Sequence, residues 1–302
     1  MQEFPAACSP PCRKPRVSNV LEEYGGIGAA GTFQENGMEF DGKVAIVYGG
    51  GGVIGGAVAR ALAREGAQVF LAGRSTGKLQ FAAQEIERAG GRAQVAVVDA
   101  LDLSAVQRHA EQVGLTAGRV DMGFQAIGIP HVQGRPLDAL SLEEFKLPVT
   151  SYIDSFFIMA KALAPLMTRQ RSGVLLGITT PASRMAGPGF LGHSVACAGV
   201  EALVRHLAGE LGGSGIRVAC IRSHAVPQAV TMGSHSAEVF GQVARAAGMS
   251  VEEILAGATA GTLLKRLPTL ADVANAALFL ASDRAGATTG AILNVNAGTI
   301  LD

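Results

Sequence analysis

The stretch VAIVYGGGGVIGGAVARALAREGAQVFLAGRS, residues 44–75, places four consecutive glycines between an apolar strand-like segment and a helix-like segment. A second apolar segment follows and completes a strand-helix-strand pattern. Glycine suits this turn because the backbone needs unusual dihedrals and because a pyrophosphate can approach a backbone without Cβ atoms. The following helix offers its first N–H groups and positive dipole end to the phosphates. We predict a nucleotide site whose phosphate-binding residues are Gly49, Gly51, Gly52, Ile54 and Gly55.

A tight turn without a ligand is the alternative, and the complete strand-helix-strand context favours the nucleotide. A Walker-type loop is excluded because no Gly-Lys-Ser or Gly-Lys-Thr closes the glycine run. At the end of the second apolar segment, Arg74 and Ser75 stand where NAD-preferring enzymes carry an acidic residue for the ribose 2′-hydroxyl. Because a guanidinium suits a 2′-phosphate, these residues favour NADP(H) over NAD(H). The alternative role of Arg74 is that of a solvated loop charge.

Short apolar runs alternate with helical patterns along the rest of the chain. The runs are continuously apolar, which is typical of strands covered by helices on both faces. With right-handed crossovers, they predict an α/β fold: a doubly wound, Rossmann-type, seven-stranded parallel sheet in a single domain. The predicted strands span residues 43–48, 68–72, 93–98, 120–126, 173–179, 217–221 and 291–295, and the predicted helices span 54–65, 79–89, 103–113, 149–169, 194–211 and 270–281.

Residues 1–37 differ from the rest of the chain, because they are rich in proline and glycine and lack strand or helix periodicity. They are predicted to be a disordered extension, since they cannot bury enough apolar surface to offset the entropy of ordering. A targeting peptide is the alternative, but Glu22, Glu23 and Glu35 are unlike acid-poor transit peptides. The fold then occupies residues 38–302. A lid is predicted at about residues 222–265, made of a loop over residues 222–248 and a helix over the segment VEEILAGATAGTLL that follows.

The overall composition excludes several classes of protein. The 25 basic and 25 acidic side chains balance, which argues against a nucleic-acid partner. No apolar run is long enough to span a membrane and no secretory signal core opens the chain, so a cytoplasmic protein is predicted. The four cysteines form no Cys-x-x-Cys pair and the six histidines form no His-Glu-x-x-His motif, so no metal site is expected.

From about residue 39 onward the chain resembles the short-chain dehydrogenase/reductase family. The family's Thr-Gly-x-x-x-Gly-x-Gly motif aligns with residues 48–55, although Val53 stands in place of the middle glycine. Asp99 and Ala100 are similar to the family's adenine contact, and Gly128 is similar to the last glycine of its Asn-Asn-Ala-Gly segment. The resemblance implies that these residues bind a nicotinamide dinucleotide.

The family's four catalytic residues, Asn-Ser-Tyr-Lys, are all replaced, so the chain resembles a divergent member. Tyr152 aligns with the asparagine, Thr180 with the serine, His193 with the tyrosine and Cys197 with the lysine. The thirteen-residue spacing between Thr180 and His193 matches the family's serine-to-tyrosine spacing, which supports the alignment. Only Thr180 keeps the functional group of the residue that it replaces.

In the family, a tyrosine protonates the carbonyl oxygen, and a lysine brings its pKa of about 10 towards neutrality. An imidazole starts near a pKa of about 6.5 and needs no such help, so the loss of both residues is coherent if His193 is the proton donor. Thr180 can hydrogen-bond the substrate oxygen, and Tyr152 is the third candidate catalytic residue. The alternatives are a leftover polar role for His193 and core packing for Tyr152 and Cys197.

The leading hypothesis is an NADP(H)-dependent oxidoreductase that acts on the carbonyl/alcohol pair of a small, mainly hydrophobic substrate. Small and apolar residues in the predicted lid suggest that kind of substrate. The alternatives are a non-redox enzyme, such as a dehydratase or isomerase with His193 as base, and a catalytically lapsed nucleotide-binding protein. The resemblance also implies a homodimer or homotetramer built on helices 149–169 and 194–211, whose apolar positions occupy more than one face.

Overall fold

Seven parallel strands form one sheet in the computed structural model, which describes residues 38–302. The strand order is β3-β2-β1-β4-β5-β6-β7, so the order reverses between β1 and β4, where ligands of doubly wound sheets bind at the carboxyl ends. The predicted Rossmann-type sheet is confirmed. The strands are β1 Val44–Tyr48, β2 Gln68–Gly73, β3 Arg92–Val97, β4 Met122–Gln125, β5 Gly173–Thr179, β6 Ile216–Ser223 and β7 Ile292–Val295.

Helices cover both faces of this sheet and bury two apolar cores. On one face lie α1, α2 and α9, and on the other lie α3, α4 and α5. Burial on both faces explains why most of the strands are continuously apolar. The helices are α1 Val53–Arg64, α2 Thr76–Arg88, α3 Leu103–Ala117, α4 Leu142–Gln170, α5 Leu191–Leu211, α6 Pro227–Thr231, α7 His235–Ala247, α8 Val251–Gly261 and α9 Leu270–Ala281.

Helix α4 begins well before the predicted start at residue 149. Ser141 accepts a hydrogen bond from the Glu144 backbone N–H, and the Glu144 carboxylate accepts one from the Ser141 backbone N–H. This capping box starts the helix at Leu142, and the helix then continues through Pro148. The predicted start at residue 149 lies directly after this proline, a residue that usually interrupts a helix.

Strand β3 differs from the expectation of strands covered on both faces. It lies at the edge of the sheet, paired with β2 alone, and Val95 and Val97 are 42% and 65% exposed. An apolar run therefore predicted the strand but not its position at the rim.

The predicted lid region, residues 222–265, contains α6, α7 and α8. Helices α6 and α7 lie in a segment that was predicted to be a loop, whereas α8 was predicted as a helix. The region's role as a lid stays a prediction, and the predicted disordered extension, residues 1–37, lies outside the described residues. In the part of the chain that the structure describes, no helix has the length and apolar character needed to cross a membrane.

Candidate active site

The glycine loop after β1 leaves no room for side chains at its ends. Gly49 has a φ of +83°, and its N–H donates to the Ala72 carbonyl oxygen at 2.8 Å. A Cβ on Gly49 would overlap the Ala126 backbone, and a Cβ on Gly55 would overlap the Gly49 carbonyl oxygen. The loop therefore needs glycine both for its left-handed dihedral angle and for close backbone packing.

Helix α1 begins directly at this loop with no capping side chain. Its N-cap residue is Gly52, and no acidic residue stands in its first turn. The first N–H groups of the helix, including that of Ile54, have no partner within the helix, and the dipole is positive at this end. The backbone at Gly51 and Gly52 and the unpaired N–H groups at the start of α1 can therefore hold the phosphates of a dinucleotide.

The carboxyl end of β2 presents basic and hydroxyl groups beside the loop. Arg74 is exposed and forms no ion pair with any other described residue. Ser75 is the N-cap of α2 but makes no capping hydrogen bond with its side chain, and the first turn of α2 contains no acid. Lys78 packs close to Gly51, since a Cβ on that glycine would lie 3.0 Å from the Lys78 Cβ. This end of the strand is suited to an anion.

The two other predicted nucleotide contacts follow β3 and β4. Asp99 is exposed and accepts a hydrogen bond from the Leu101 N–H at 3.0 Å, while Ala100 is buried. Gly128 lies directly against the imidazole of His235, because a Cβ at Gly128 would overlap that ring. The Gly128 segment is therefore in contact with the first residue of α7.

Thr180 and His193 meet at the carboxyl edge of the sheet, as the thirteen-residue spacing predicted. Thr180 follows β5, His193 is the third residue of α5, and the Thr180 Oγ1 lies 3.0 Å from the His193 Nε2. Cys197 Sγ lies 3.6 Å from the same oxygen and 3.7 Å from the same nitrogen. Tyr152, from α4, completes the group, with its ring centre 6.3 Å from that of His193.

Two histidines that sequence reasoning did not select also belong to this group. The His131 ring stacks on that of His193 at 5.0 Å between centroids, and the His235 ring lies 6.5 Å from that of His131. His131 lies in the segment between β4 and α4, and His235 opens α7. The two histidines belong to no recognisable sequence motif, because they lie in segments far apart in the chain. They come close to His193 only in the folded protein.

The pKa of His193 falls to about 3, because burial penalises the charged form and because His131 and His235 would repel it. His193 is therefore neutral near pH 7, which corrects the expectation of an imidazole that titrates near its ordinary pKa. Burial also lowers the pKa of His235 to about 4 and lowers that of His131. The His193 Nδ1 is buried and has no hydrogen-bond partner among the described residues.

Neither Tyr152 nor Cys197 is activated by this environment. Burial raises the pKa of the Tyr152 hydroxyl and raises that of the Cys197 thiol to about 11. Cys197 is 4% exposed and behaves as a buried apolar residue, as the alternative interpretation had it. The arrangement places one neutral imidazole and one hydroxyl, from His193 and Thr180, where they can donate or accept hydrogen bonds.

A buried ion pair lies one helical turn beyond Cys197. Arg222, from β6, donates from Nε to Glu201 Oε1 at 2.8 Å and from its Nη2 to Glu201 Oε2 at 2.6 Å. Thr179 also donates to Glu201, at 3.0 Å. The pair ties α5 to β5 and β6 directly beneath the Thr180 and His193 side chains. Sequence reasoning missed it, because its two charges come from segments that read as apolar.

The chain is similar to oxidoreductases along most of its length. A family model described as enoyl-(acyl carrier protein) reductase matches residues 51–299. An uncharacterised oxidoreductase of Thermotoga maritima is 31% identical over 267 residues, which cover 87% of this chain and 99% of that protein. The 7α-hydroxysteroid dehydrogenase of Escherichia coli is 28% identical over 268 residues, which cover 89% of this chain and 98% of that protein.

Solved structures give the same result. Sorbitol-6-phosphate 2-dehydrogenase from Erwinia amylovora superposes with a TM-score of 0.77 at 27% identity, over 85% of this chain and 100% of that one. A 7α-hydroxysteroid dehydrogenase, solved with NADH and 7-oxo-glycochenodeoxycholic acid, superposes with a TM-score of 0.73 at 27% identity, over 88% and 97% of the two chains. Because its fold and most of its sequence match these proteins, the chain belongs to the short-chain dehydrogenase/reductase family, a family of oxidoreductases.

Proposed function

We propose that this protein is an NADP(H)-dependent oxidoreductase acting on the carbonyl/alcohol pair of a small, mainly hydrophobic substrate. The observation that carries the proposal is the Thr180–His193 contact, because it sets a hydroxyl and an imidazole at the edge of the sheet where the glycine loop also lies. These two groups can meet the oxygen of a carbonyl, and the bound nicotinamide would supply the hydride.

The chain's own residues fit such a dinucleotide. Gly49, Gly51, Gly52, Ile54 and Gly55 would hold the pyrophosphate on the uncapped N-terminus of α1. Asp99 and Ala100 would contact the adenine, and Gly128 would lie near the nicotinamide end.

The preference for NADP(H) rests on Arg74 and Ser75. Arg74 has no competing ion pair among the described residues, and no acidic residue stands in the first turn of α2 to repel a 2′-phosphate. A guanidinium can form a bidentate, charge-assisted interaction with that phosphate, and the Ser75 hydroxyl can add a hydrogen bond.

His193 acts on the substrate oxygen in this proposal. Its Nε2 is already in contact with Thr180, so the unpartnered Nδ1 is the nitrogen that is free to meet the substrate. A neutral imidazole with its proton on Nδ1 can donate a hydrogen bond to the carbonyl oxygen and polarise it. Tyr152 lines the same space as an uncharged hydroxyl.

The non-redox alternative also has one specific observation in its favour. Because His193 is neutral near pH 7, one of its ring nitrogens can accept a proton, as a dehydratase or isomerase would require, but its pKa of about 3 makes it a weak base. Nicotinamide turnover distinguishes the two functions. The full chain is titrated with NADPH and NADH by fluorescence and then tested on a panel of ketones, aldehydes and alcohols. Consumption of NADPH with a carbonyl supports the reductase, whereas product formation without a change in the nicotinamide supports the alternative.

We also propose a homo-oligomer formed through α4 and α5. Leu147 and Phe157 on α4 are 47% and 46% exposed, and Leu191 and Val195 on α5 are 40% and 42% exposed. These helices pack against each other, so a second copy could cover their outer apolar side chains together.

A further inference from the structure

Three imidazoles from three separate elements converge on one position. His131 comes from the segment between β4 and α4, His193 from the first turn of α5, and His235 from the first residue of α7. The rings of His131 and His193 are 5.0 Å apart, and those of His131 and His235 are 6.5 Å apart. In the described residues no group of histidine, cysteine or carboxylate side chains is arranged to hold a metal ion.

The hydrogen bonds fix His131 as a neutral ring and leave His193 with a free nitrogen. Gln133 Nε2 lies 2.9 Å from His131 Nε2 and can donate to it, while His131 Nδ1 donates to the Ile129 carbonyl oxygen at 2.9 Å. Both nitrogens of His131 are thereby used. The buried Nδ1 of His193, in contrast, has no partner among residues 38–302. The cluster thus contains one buried polar atom whose hydrogen-bonding capacity is unused among the described residues.

The charges that surround this position are all potentially positive. Besides the three histidines, the titratable groups that face His193 are Tyr152 from α4 and Cys197 from its own helix, and burial keeps both uncharged. Glu201, the first carboxylate along α5, is already held by Arg222. Helix α5 also begins without a capping side chain, which adds the positive end of its dipole.

An anion would reverse the balance of charge in this cluster. In the free protein, burial and mutual repulsion keep the imidazoles neutral. A carboxylate placed among them would favour the charged form of an adjacent imidazole and so raise its pKa. By linkage, the ligand then binds together with a proton, and its affinity falls as the pH rises.

We propose that His193 and His235, which pack around the His131 ring, bind a carboxylate of the substrate and take up a proton when that carboxylate binds. The statement that the carboxylate belongs to the substrate rests on the proposed function, whereas the binding of the anion does not. A 2-oxo acid is the simplest ligand of this class, because it carries the carboxylate next to the carbonyl. The proton taken up would then lie on the imidazole nearest the reacting oxygen.

The test is isothermal titration calorimetry of the full chain with benzoylformate, its uncharged methyl ester and inorganic phosphate. Titrations in two buffers of different ionisation enthalpy measure the protons taken up. We expect benzoylformate to bind with uptake of up to one proton. Its affinity should fall by up to about tenfold per pH unit until the pH reaches the pKa that the imidazole has in the complex. The ester should bind without uptake, and phosphate should bind more weakly than benzoylformate. Equal affinity of the acid and its ester, or binding that is independent of pH, would overturn the proposal.

Variants locate the site. His193→Phe should abolish the proton uptake, and His235→Asn should weaken benzoylformate binding by about tenfold, the effect of one lost charge-assisted hydrogen bond. His206→Asn, an exposed histidine of the same helix, is the matched control and should bind like the unmodified protein. Melting temperatures show which variants are folded, and His235→Asn changes a half-buried side chain, so it serves if His193→Phe does not fold. Unchanged binding in both folded variants would refute the site.

The proposal and the proposed function fail in different ways. Carboxylate binding with proton uptake, but no NADPH consumption with any carbonyl, would support the anion site and contradict the proposed reductase function. NADPH consumption with neutral ketones, combined with no preference for 2-oxo acids, would support the proposed reductase function and contradict the anion site.

Discussion

The Thr180 hydroxyl lies 3.0 Å from Nε2 of His193, at the junction between the end of β5 and the first turn of α5. The Ala182 N–H donates to the same hydroxyl oxygen at 3.4 Å, which leaves the hydroxyl proton free for the imidazole. If Nε2 accepts that proton in a hydrogen bond, the neutral ring carries its own proton on Nδ1. In the proposed function, this contact between two side chains makes Nδ1 the nitrogen of His193 that donates to the substrate.

Replacement of Arg74 by alanine tests the cofactor preference. If the guanidinium holds the 2′-phosphate, Arg74→Ala should weaken NADPH binding by about 1–3 kcal/mol and leave NADH binding almost unchanged. Fluorescence titration with each nucleotide measures both affinities. Arg64→Ala, an exposed arginine at the far end of α1, is the control and should change neither. An equal loss for both nucleotides would mean that Arg74 supports the loop instead of binding the phosphate.

The stability of the protein should fall in mild acid. In the unfolded chain a histidine binds a proton near about pH 6.5, whereas several histidines of the folded protein have a lower pKa. Protonation therefore favours the unfolded chain as the pH drops below about 6.5. Each such group contributes up to about 1.4 kcal/mol per pH unit. Burial lowers the pKa of five histidines in this way: His109, His131, His193, His224 and His235.

Urea denaturation at about pH 7.5 and about pH 5.5 measures this dependence. His193→Phe should make it shallower, because one group that binds protons only after unfolding is removed. His206→Phe, on the exposed side of the same helix, should leave the dependence unchanged. A free energy of unfolding that does not vary between the two pH values would show that the cluster is already open to solvent.

The Glu201–Arg222 pair should be important for stability but not for nucleotide binding. Both side chains are almost fully buried, so Glu201→Gln would leave the Arg222 charge uncompensated and cost about 3–5 kcal/mol. Replacement of both residues, as Glu201→Leu with Arg222→Met, should recover much of that loss because no lone charge stays buried. Chemical denaturation measures both variants. If the double variant is less stable than Glu201→Gln, the other bonds of Arg222, such as that to Asn294 Oδ1, carry the stability.

An acidic residue at position 157 tests the proposed oligomer. Phe157→Asp should dissociate the assembly, because a carboxylate would be buried in the apolar surface that α4 and α5 present. Light scattering at micromolar concentration measures the mass. Leu115→Asp on α3, where the leucine is 82% exposed, is the control and should keep the mass of the unmodified protein. A monomeric mass for the unmodified protein would rule out the oligomer itself.

The sequence was sufficient for the fold because its decisive signals are local. A glycine run between two apolar segments specifies its own turn, and a continuously apolar run indicates a strand that is covered on both faces. The exposure of Val97 could not be predicted, because it follows from the place of β3 at the edge of the sheet. The early start of α4 was missed for a different reason: the Ser141–Glu144 cap is a local motif that the prediction overlooked.

The same distinction applies to the candidate site. The spacing between Thr180 and His193 was readable, because one strand end and the next helix start bring the two residues together. The positions of His131 and His235 near this site could not be predicted, because each position depends on how a long connecting segment packs. The low pKa of His193 is a consequence of those neighbours and of burial, so no property of the residue alone could predict it.

His193 and Cys197, which are predicted to stand in place of the family's tyrosine and lysine, can be tested as a pair. His193→Phe should lower turnover by about 10²–10⁴-fold, the usual effect of losing one acid–base group, and leave NADPH affinity nearly intact. His193→Tyr should be similarly inactive, because the buried Cys197 that faces it supplies no charge to lower the phenol pKa. His193→Tyr combined with Cys197→Lys should recover part of the lost activity, since an ammonium would then stand one helical turn from the phenol. The three variants are compared in kcat with the substrate identified by the carbonyl panel. Full activity in His193→Tyr alone would show that the hydroxyl needs no neighbouring lysine, and full activity in His193→Phe would move the proton donor to Tyr152, His224 or water.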